Sequence, residues 1–211
     1  MKQLFLTSSV HAVAHDLVKH IDTSVQNNLV FITTAAEPEA GTDLTWLEND
    51  RQALVDAGFT VTDYTITEKT RAQLETDLAP YDCIYMSGGN TFYLLEQAQK
   101  SGYVTLITEL VAEGKTYIGT SAGSIIAGNR CPDYLLEENE IYELENQNGF
   151  GLVNFTILPH WGSRAFKEKY LSNRLEIAYQ YDQVPLIILT DRQYIHVQDD
   201  HFQIIDTTAR E

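Results

Sequence analysis

The chain has 211 residues, 44% of them hydrophobic, with thirty acidic side chains against fourteen basic ones and a formal net charge of -16. That length and apolar content can bury a substantial core and fit one α/β domain over residues 1–211 better than two small ones. The acidic excess would repel a phosphate backbone or an anionic membrane surface, so no nucleic acid and no membrane is expected as a partner.

Residues 2–9 (KQLFLTSS) read as a first strand, and the apolar spacing of VAHDLVKHI predicts a helix after it. The same N-terminus carries one lysine, no long apolar run, and histidines and an aspartate where a signal peptide is apolar. No segment approaches the roughly 18 apolar residues of a membrane span. A cytoplasmic location is therefore expected. His11 and His15 are four apart, but HAVAH lacks the glutamate of HExxH, so a metalloprotease is not supported.

Residues 28–35 predict a second strand, residues 42–59 a helix ending near Gly58, and residues 60–66 a third strand whose polar alternation suits a sheet edge. A helix over 71–79 leads to a fourth strand, DCIYMSGG (82–89), which breaks at Gly88 and Gly89 into helices over 91–102 and 104–114. TYIGT (116–120) is a fifth strand. After Gly128 the periodicity fades for about 25 residues, an interval long enough to suggest function or small unread elements. It holds the acidic run Glu137 to Glu145, which reads as a solvated surface. FTILPHWG (155–162) is a further strand, followed by a helix over 166–181, a strand over 184–191, and a closing hairpin of 193–198 and 201–206 that would leave His196 and His201 on the surface. Strands alternating with helices predict a doubly wound, mostly parallel sheet with helices on both faces and a C-terminal hairpin. Cys83 and Cys131 lack CxxC spacing and read as buried thiols.

Chemistry concentrates at strand ends. Gly119-Thr120-Ser121-Ala122-Gly123 lies between a β-branched strand and an apolar helix start, the context in which GxSxG lifts a serine hydroxyl clear of a sheet edge. The competing reading is a small-residue packing turn. A nucleophilic serine needs a base, and His160 in ILPHWG falls just past an apolar strand, where open α/β sheets keep their sites; a structural histidine is the alternative. Ser87-Gly88-Gly89-Asn90 offers backbone N–H groups at another strand end, which with Ala122 N–H could form an oxyanion hole. SGGNT matches neither GxxxxGK[ST] nor GxGxxG, which argues against a phosphate loop.

Taken in order, MSGGNTFYLL, YIGTSAGSIIAG and ILPHW resemble peptidase family S51, the dipeptidase E and cyanophycinase group. The resemblance implies a class I glutamine amidotransferase-like fold with serine in place of cysteine, and neither metal nor cofactor. It implies Ser121 as nucleophile, His160 as base, and the N–H groups of Gly89 and Ala122 as oxyanion donors, with Gly88 and Asn90 beside them. For the acid, the family's glutamate after the histidine-bearing strand corresponds here to Asp191, the first choice, while counting back from His160 reaches Glu137 and Glu138. A small peptide substrate is implied, with an aspartyl dipeptide one form of it, and one of Arg130, Arg164 and Arg192 would read its carboxylate. Two other readings remain: a non-catalytic binding member of the same fold, and an α/β esterase. A homodimer is compatible with this size, although no apolar interface patch is legible.

Overall fold

Side-chain alternation along the strands builds the core. In the computed structural model, which describes residues 1–135, 141–181 and 184–208, β1 (Gln3–Thr7) sends Leu4 and Leu6 to one face and Phe5 to the other. β2 (Asn28–Ile32) divides Val30 and Ile32 from Leu29 and Phe31, and β4 (Cys83–Met86) divides Ile84 and Met86 from Cys83 and Tyr85. Strands apolar on both faces must be covered on both.

One face is covered by α3 (Arg71–Leu78), α4 (Thr91–Ser101), α5 (Tyr103–Ala112) and the short α6 (Ala122–Ile125), through residues such as Leu74, Leu95 and Leu106. The other is covered by α1 (Val10–Leu17) and α2 (Thr45–Asp56), through Val13, Leu17 and Leu54. Each such side chain contributes roughly 1.5–3 kcal/mol on burial.

With β3 (Thr60–Tyr64), β5 (Thr116–Thr120), β8 (Gln193–Gln198) and β9 (His201–Asp206), the main sheet has the order β3-β2-β4-β5-β1-β8-β9. Five strands are parallel, and the terminal hairpin joins antiparallel to β1. The expected edge position of β3 is what is found.

Three expectations change. β6 (Thr156–Leu158) and β7 (Leu186–Ile188) pair in parallel with each other as a separate two-stranded sheet rather than extending the main one. His196 is buried, not superficial, because β8 is sandwiched between β1 and β9 and its ring stacks on Phe5 at 4.6 Å. The helix expected over 166–181 is broken into α7 (Lys167–Lys169), a π-helical turn at Tyr170–Arg174, and α8 (Leu175–Tyr181). Both cysteines are free and buried, and no helix among the described residues is long and apolar enough to cross a membrane.

The neighbouring strands β4, β5 and β1 end on one edge. The helix after β1 turns to one face and those after β4 and β5 turn to the other, which opens a crevice where α/β sheets bind ligands.

Candidate active site

β5 enters α6 through Ser121, whose backbone lies at φ 48° and ψ -108°. A non-glycine residue there costs about 1–3 kcal/mol and persists only when its surroundings fix it. The fixing is visible: Ser121 N–H donates to Thr7 O at 3.0 Å, and Gly123 N–H donates to Ser87 O at 3.1 Å. Ser124 Oγ donates between Thr7 O and Gly119 O at 2.7 and 2.8 Å, and the Tyr117 hydroxyl donates to Gly123 O at 2.6 Å. A Cβ on Gly123 would stand 2.2 Å from Met86 O, and one on Gly119 would stand 2.7 Å from Gly123 O. Both glycines thus answer to close packing of α6 on the strands. The packing turn and the displayed serine are one structure, since the first produces the second.

Ser121 Oγ lies 3.0 Å from His160 Nε2, and His160 Nδ1 lies 2.7 Å from Asp191 Oδ1. The geometry suits an Nδ1–H donated to Asp191, leaving Nε2 to accept from the serine hydroxyl. His160 follows β6 and Asp191 follows β7, so parallel pairing of Leu158 with Ile188 brings the two together. The His160 ring stacks on Phe166 at 4.4 Å. Its backbone has φ 61°, and its N–H donates to Ser8 Oγ at 3.1 Å while Ser8 Oγ donates to Leu189 O at 3.1 Å. Through Ser8, at the end of β1, the small sheet is fastened to the large one.

Gly88 sits against the serine, where an added Cβ would be 3.3 Å from Ser121 Cβ and 3.4 Å from Trp46 Cζ3. Gly89 has φ 123°, and a Cβ there would be 2.1 Å from Ala35 O, so only glycine fits. Asn90 borders the cleft, but its Oδ1 accepts the N–H groups of Phe92 and Tyr93 at 3.0 and 2.9 Å and so caps α4. Among the described residues the N–H groups of Gly89 and Ala122 donate to no other group.

These residues line a cleft of about 640 Å³ with Trp46, Phe166 and Tyr170 among its apolar walls. The three expected carboxylate readers lie outside it. Arg130, Arg164 and Arg192 are exposed, and none borders the cleft. Turns form at the last two, with Ser163 N–H donating to His160 O and Gln193 N–H to Thr190 O, so that Arg164 follows one turn and Arg192 lies within the other. Besides His160, the basic side chains that border it among the described residues are His11, Lys169 and Arg174. Burial lifts the Glu39 carboxyl above its ordinary range and Lys169 pulls the other way. Glu137 and Glu138 fall outside the described residues. Among the described residues, no group of three or more His, Cys, Asp and Glu side chains could hold a metal ion.

Sequence reading also missed Asp50, although a signal was present: with Leu47 and Leu54 it falls at helical spacing on the apolar stripe of α2. It is 2% exposed, and it faces His11.

Comparison with known proteins bears on the site as a whole. A model of peptidase family S51 matches residues 4–205. An uncharacterized peptidase of Listeria monocytogenes is 36% identical over 171 residues, covering 80% of this chain and 82% of that protein. A peptidase E of Shewanella baltica is 43% identical over 82 residues, 39% of this chain and 34% of its own length. A crystal structure from Listeria monocytogenes, named as a candidate peptidase E, superposes with a TM-score of 0.84 at 30% identity and covers 98% of both chains. A peptidase from an acI-B1 actinobacterium shares the fold, with a TM-score of 0.69 at 18% identity over 98% of this chain and 88% of that one.

Proposed function

The chain belongs to peptidase family S51 and is a peptidase, and we propose that it works as a serine peptidase on small peptides, with Ser121 as nucleophile, His160 as base and Asp191 as the acid that orients it. The observation that carries this reading is the continuous chain of hydrogen bonds from Ser121 Oγ through His160 to Asp191, 3.0 and 2.7 Å long. Ser121 then serves as a nucleophile elbow at the strand end.

In the first step His160 Nε2 takes the Ser121 proton as Oγ attacks the scissile carbonyl carbon. The carbonyl electrons move to oxygen, and the N–H groups of Gly89 and Ala122 are the donors to that oxyanion. The imidazolium, held by Asp191, returns its proton to the leaving amine as the C–N bond breaks. Water then attacks the acyl-serine by the same route, with His160 again the base, and releases the acid. No step needs a metal or a redox partner. The cleft volume of about 640 Å³ falls within the roughly 300–1,000 Å³ of small-molecule sites, which suits a dipeptide-sized substrate better than a protein chain.

The test is a dipeptide panel of Asp-X, Ala-X and iso-aspartyl-X members offered to the wild type and to Ser121→Ala. Hydrolysis of at least one class by the wild type, lost by a factor of about 10⁴ or more in the folded variant, is expected. Unchanged hydrolysis in Ser121→Ala would sink the serine assignment. Hydrolysis by neither protein, with no labelling of Ser121 by a fluorophosphonate, would favour a binding protein built on the peptidase fold.

A further inference from the structure

A second imidazole–carboxylate pair borders the same cleft. His11, in the first turn of α1, places Nδ1 3.0 Å from Asp50 Oδ1, and its backbone N–H donates to the same oxygen at 3.1 Å. Ser9 Oγ also lies 2.9 Å from that nitrogen. The other Asp50 oxygen accepts the hydroxyl of the fully buried Tyr85 at 2.7 Å. A carboxylate enclosed to this degree needs hydrogen-bond donors around it, and His11 and Tyr85 supply them. Asp50 in turn holds the imidazolium above its ordinary range against partial burial, and the charge of Asp191 adds to that effect.

With Nδ1 engaged by Asp50, the opposite edge of the ring presents Nε2, which carries a proton when the imidazole is charged. The His11 side chain is 44% exposed, and it borders the cleft together with Ser121, His160 and Asp191. The two arginines adjacent in sequence to the site residues do not border the cleft; of the basic side chains that do, with Lys169 and Arg174, His11 is fixed in place by the buried Asp50 and so offers a substrate carboxylate a set partner.

We propose that His11, backed by the buried Asp50, is a specificity-determining residue that donates its Nε2–H to a carboxylate of the substrate, an inference that rests on the peptidase reading of this cleft. A carboxamide of the same shape could not pair with the cation, and that mismatch is how such a residue discriminates. The carboxylate belongs either to the side chain of the acyl residue or to the C-terminus of the leaving residue, and the two sources can be separated.

The test measures binding without turnover, by calorimetry on the Ser121→Ala protein and on Ser121→Ala with His11→Asn. The asparagine nitrogen replaces Nδ1 toward Asp50 and removes both Nε2 and the charge. Asp-Leu against Asn-Leu isolates a side-chain carboxylate, and Ala-Leu against Ala-Leu amide isolates the terminal one. A charge-assisted hydrogen bond predicts a loss of roughly ten- to a hundredfold for one carboxylate ligand, with its amide partner changed by less than about twofold. The pair that shows the loss names the source. His11→Gln in the same background, which sets an uncharged donor near Nε2, should recover part of that affinity, and it serves in its own right if the asparagine variant does not fold. Equal losses within each pair, no loss at all, or no binding of any of the four peptides overturns the assignment. If the peptides bind as predicted but the wild type hydrolyses none, the serine peptidase reading fails while the role of His11 stands.

Discussion

Asp191 meets His160 Nδ1 at 2.7 Å, although an aspartate is one methylene shorter than the glutamate that the sequence resemblance leads one to expect there. It reaches because β7 runs parallel to β6 in a register that ends the two strands together. On the proposed mechanism Asp191→Asn keeps the contact but can stabilise the wrong tautomer and no longer balances the imidazolium. A fall in kcat of about 10²–10⁴ with little change in KM is expected from steady-state kinetics. A loss under threefold would show that another group orients the histidine. The three residues of this chain were legible in the sequence because each closes a strand. The cleft cations were not, since the positions of His11 and Arg174 depend on how distant elements pack, and the arginines near His160 and Asp191 in sequence do not border the cleft.

At the scale of elements, hydrophobic pattern reports burial but not the partner. Thr156–Leu158 and Leu186–Ile188 look like sheet strands from their apolar character, yet each pairs only with the other. The same limit explains why the parallel strands and their order of appearance could be read while the break in the 166–181 helix could not: a π-helical turn leaves no compositional mark there. Because Ser121 belongs to the large sheet and His160 and Asp191 to the small one, alignment depends on the joint between them. Ser8, fully buried, makes that joint with two hydrogen bonds at 3.1 Å, one from His160 N–H and one to Leu189 O. Ser8→Ala should lower stability by about 1–3 kcal/mol, the range for leaving buried polar groups unpaired. It should also lower kcat about tenfold or more with KM nearly unchanged, and Ser8→Thr should recover part of the loss. Chemical unfolding and kinetics on the same preparations check both. Reduced stability with unaltered kcat would reduce Ser8 to a packing role.

The whole molecule carries a pH dependence set by two histidines of opposite sign. His196 is enclosed between β1 and β9, stacked on Phe5 and 4.6 Å from the His20 ring. Burial, with His20 adding to it, holds its imidazole down from 6.5 to about 4. Above pH 6.5 the group is neutral folded or unfolded and costs nothing. As pH falls below 6.5 the unfolded chain takes up the proton first, so stability is lost progressively down to about pH 4 and no further below it. His11 runs the other way: its raised value makes its contribution complete below 6.5 and lost as pH rises through that value. The carboxylates of a chain with net charge -16 titrate in the same acid range, so the histidine effect must be read as a difference. His196→Phe keeps a ring on Phe5 and removes the proton. The stability of the wild type relative to this variant should decline between pH 6.5 and 4, with a slope of at most about 1.4 kcal/mol per pH unit. Urea unfolding of both proteins at half-unit intervals measures it. A flat difference would mean that the unfolded state gains no proton ahead of the folded one, and that acid sensitivity belongs to the carboxylates alone.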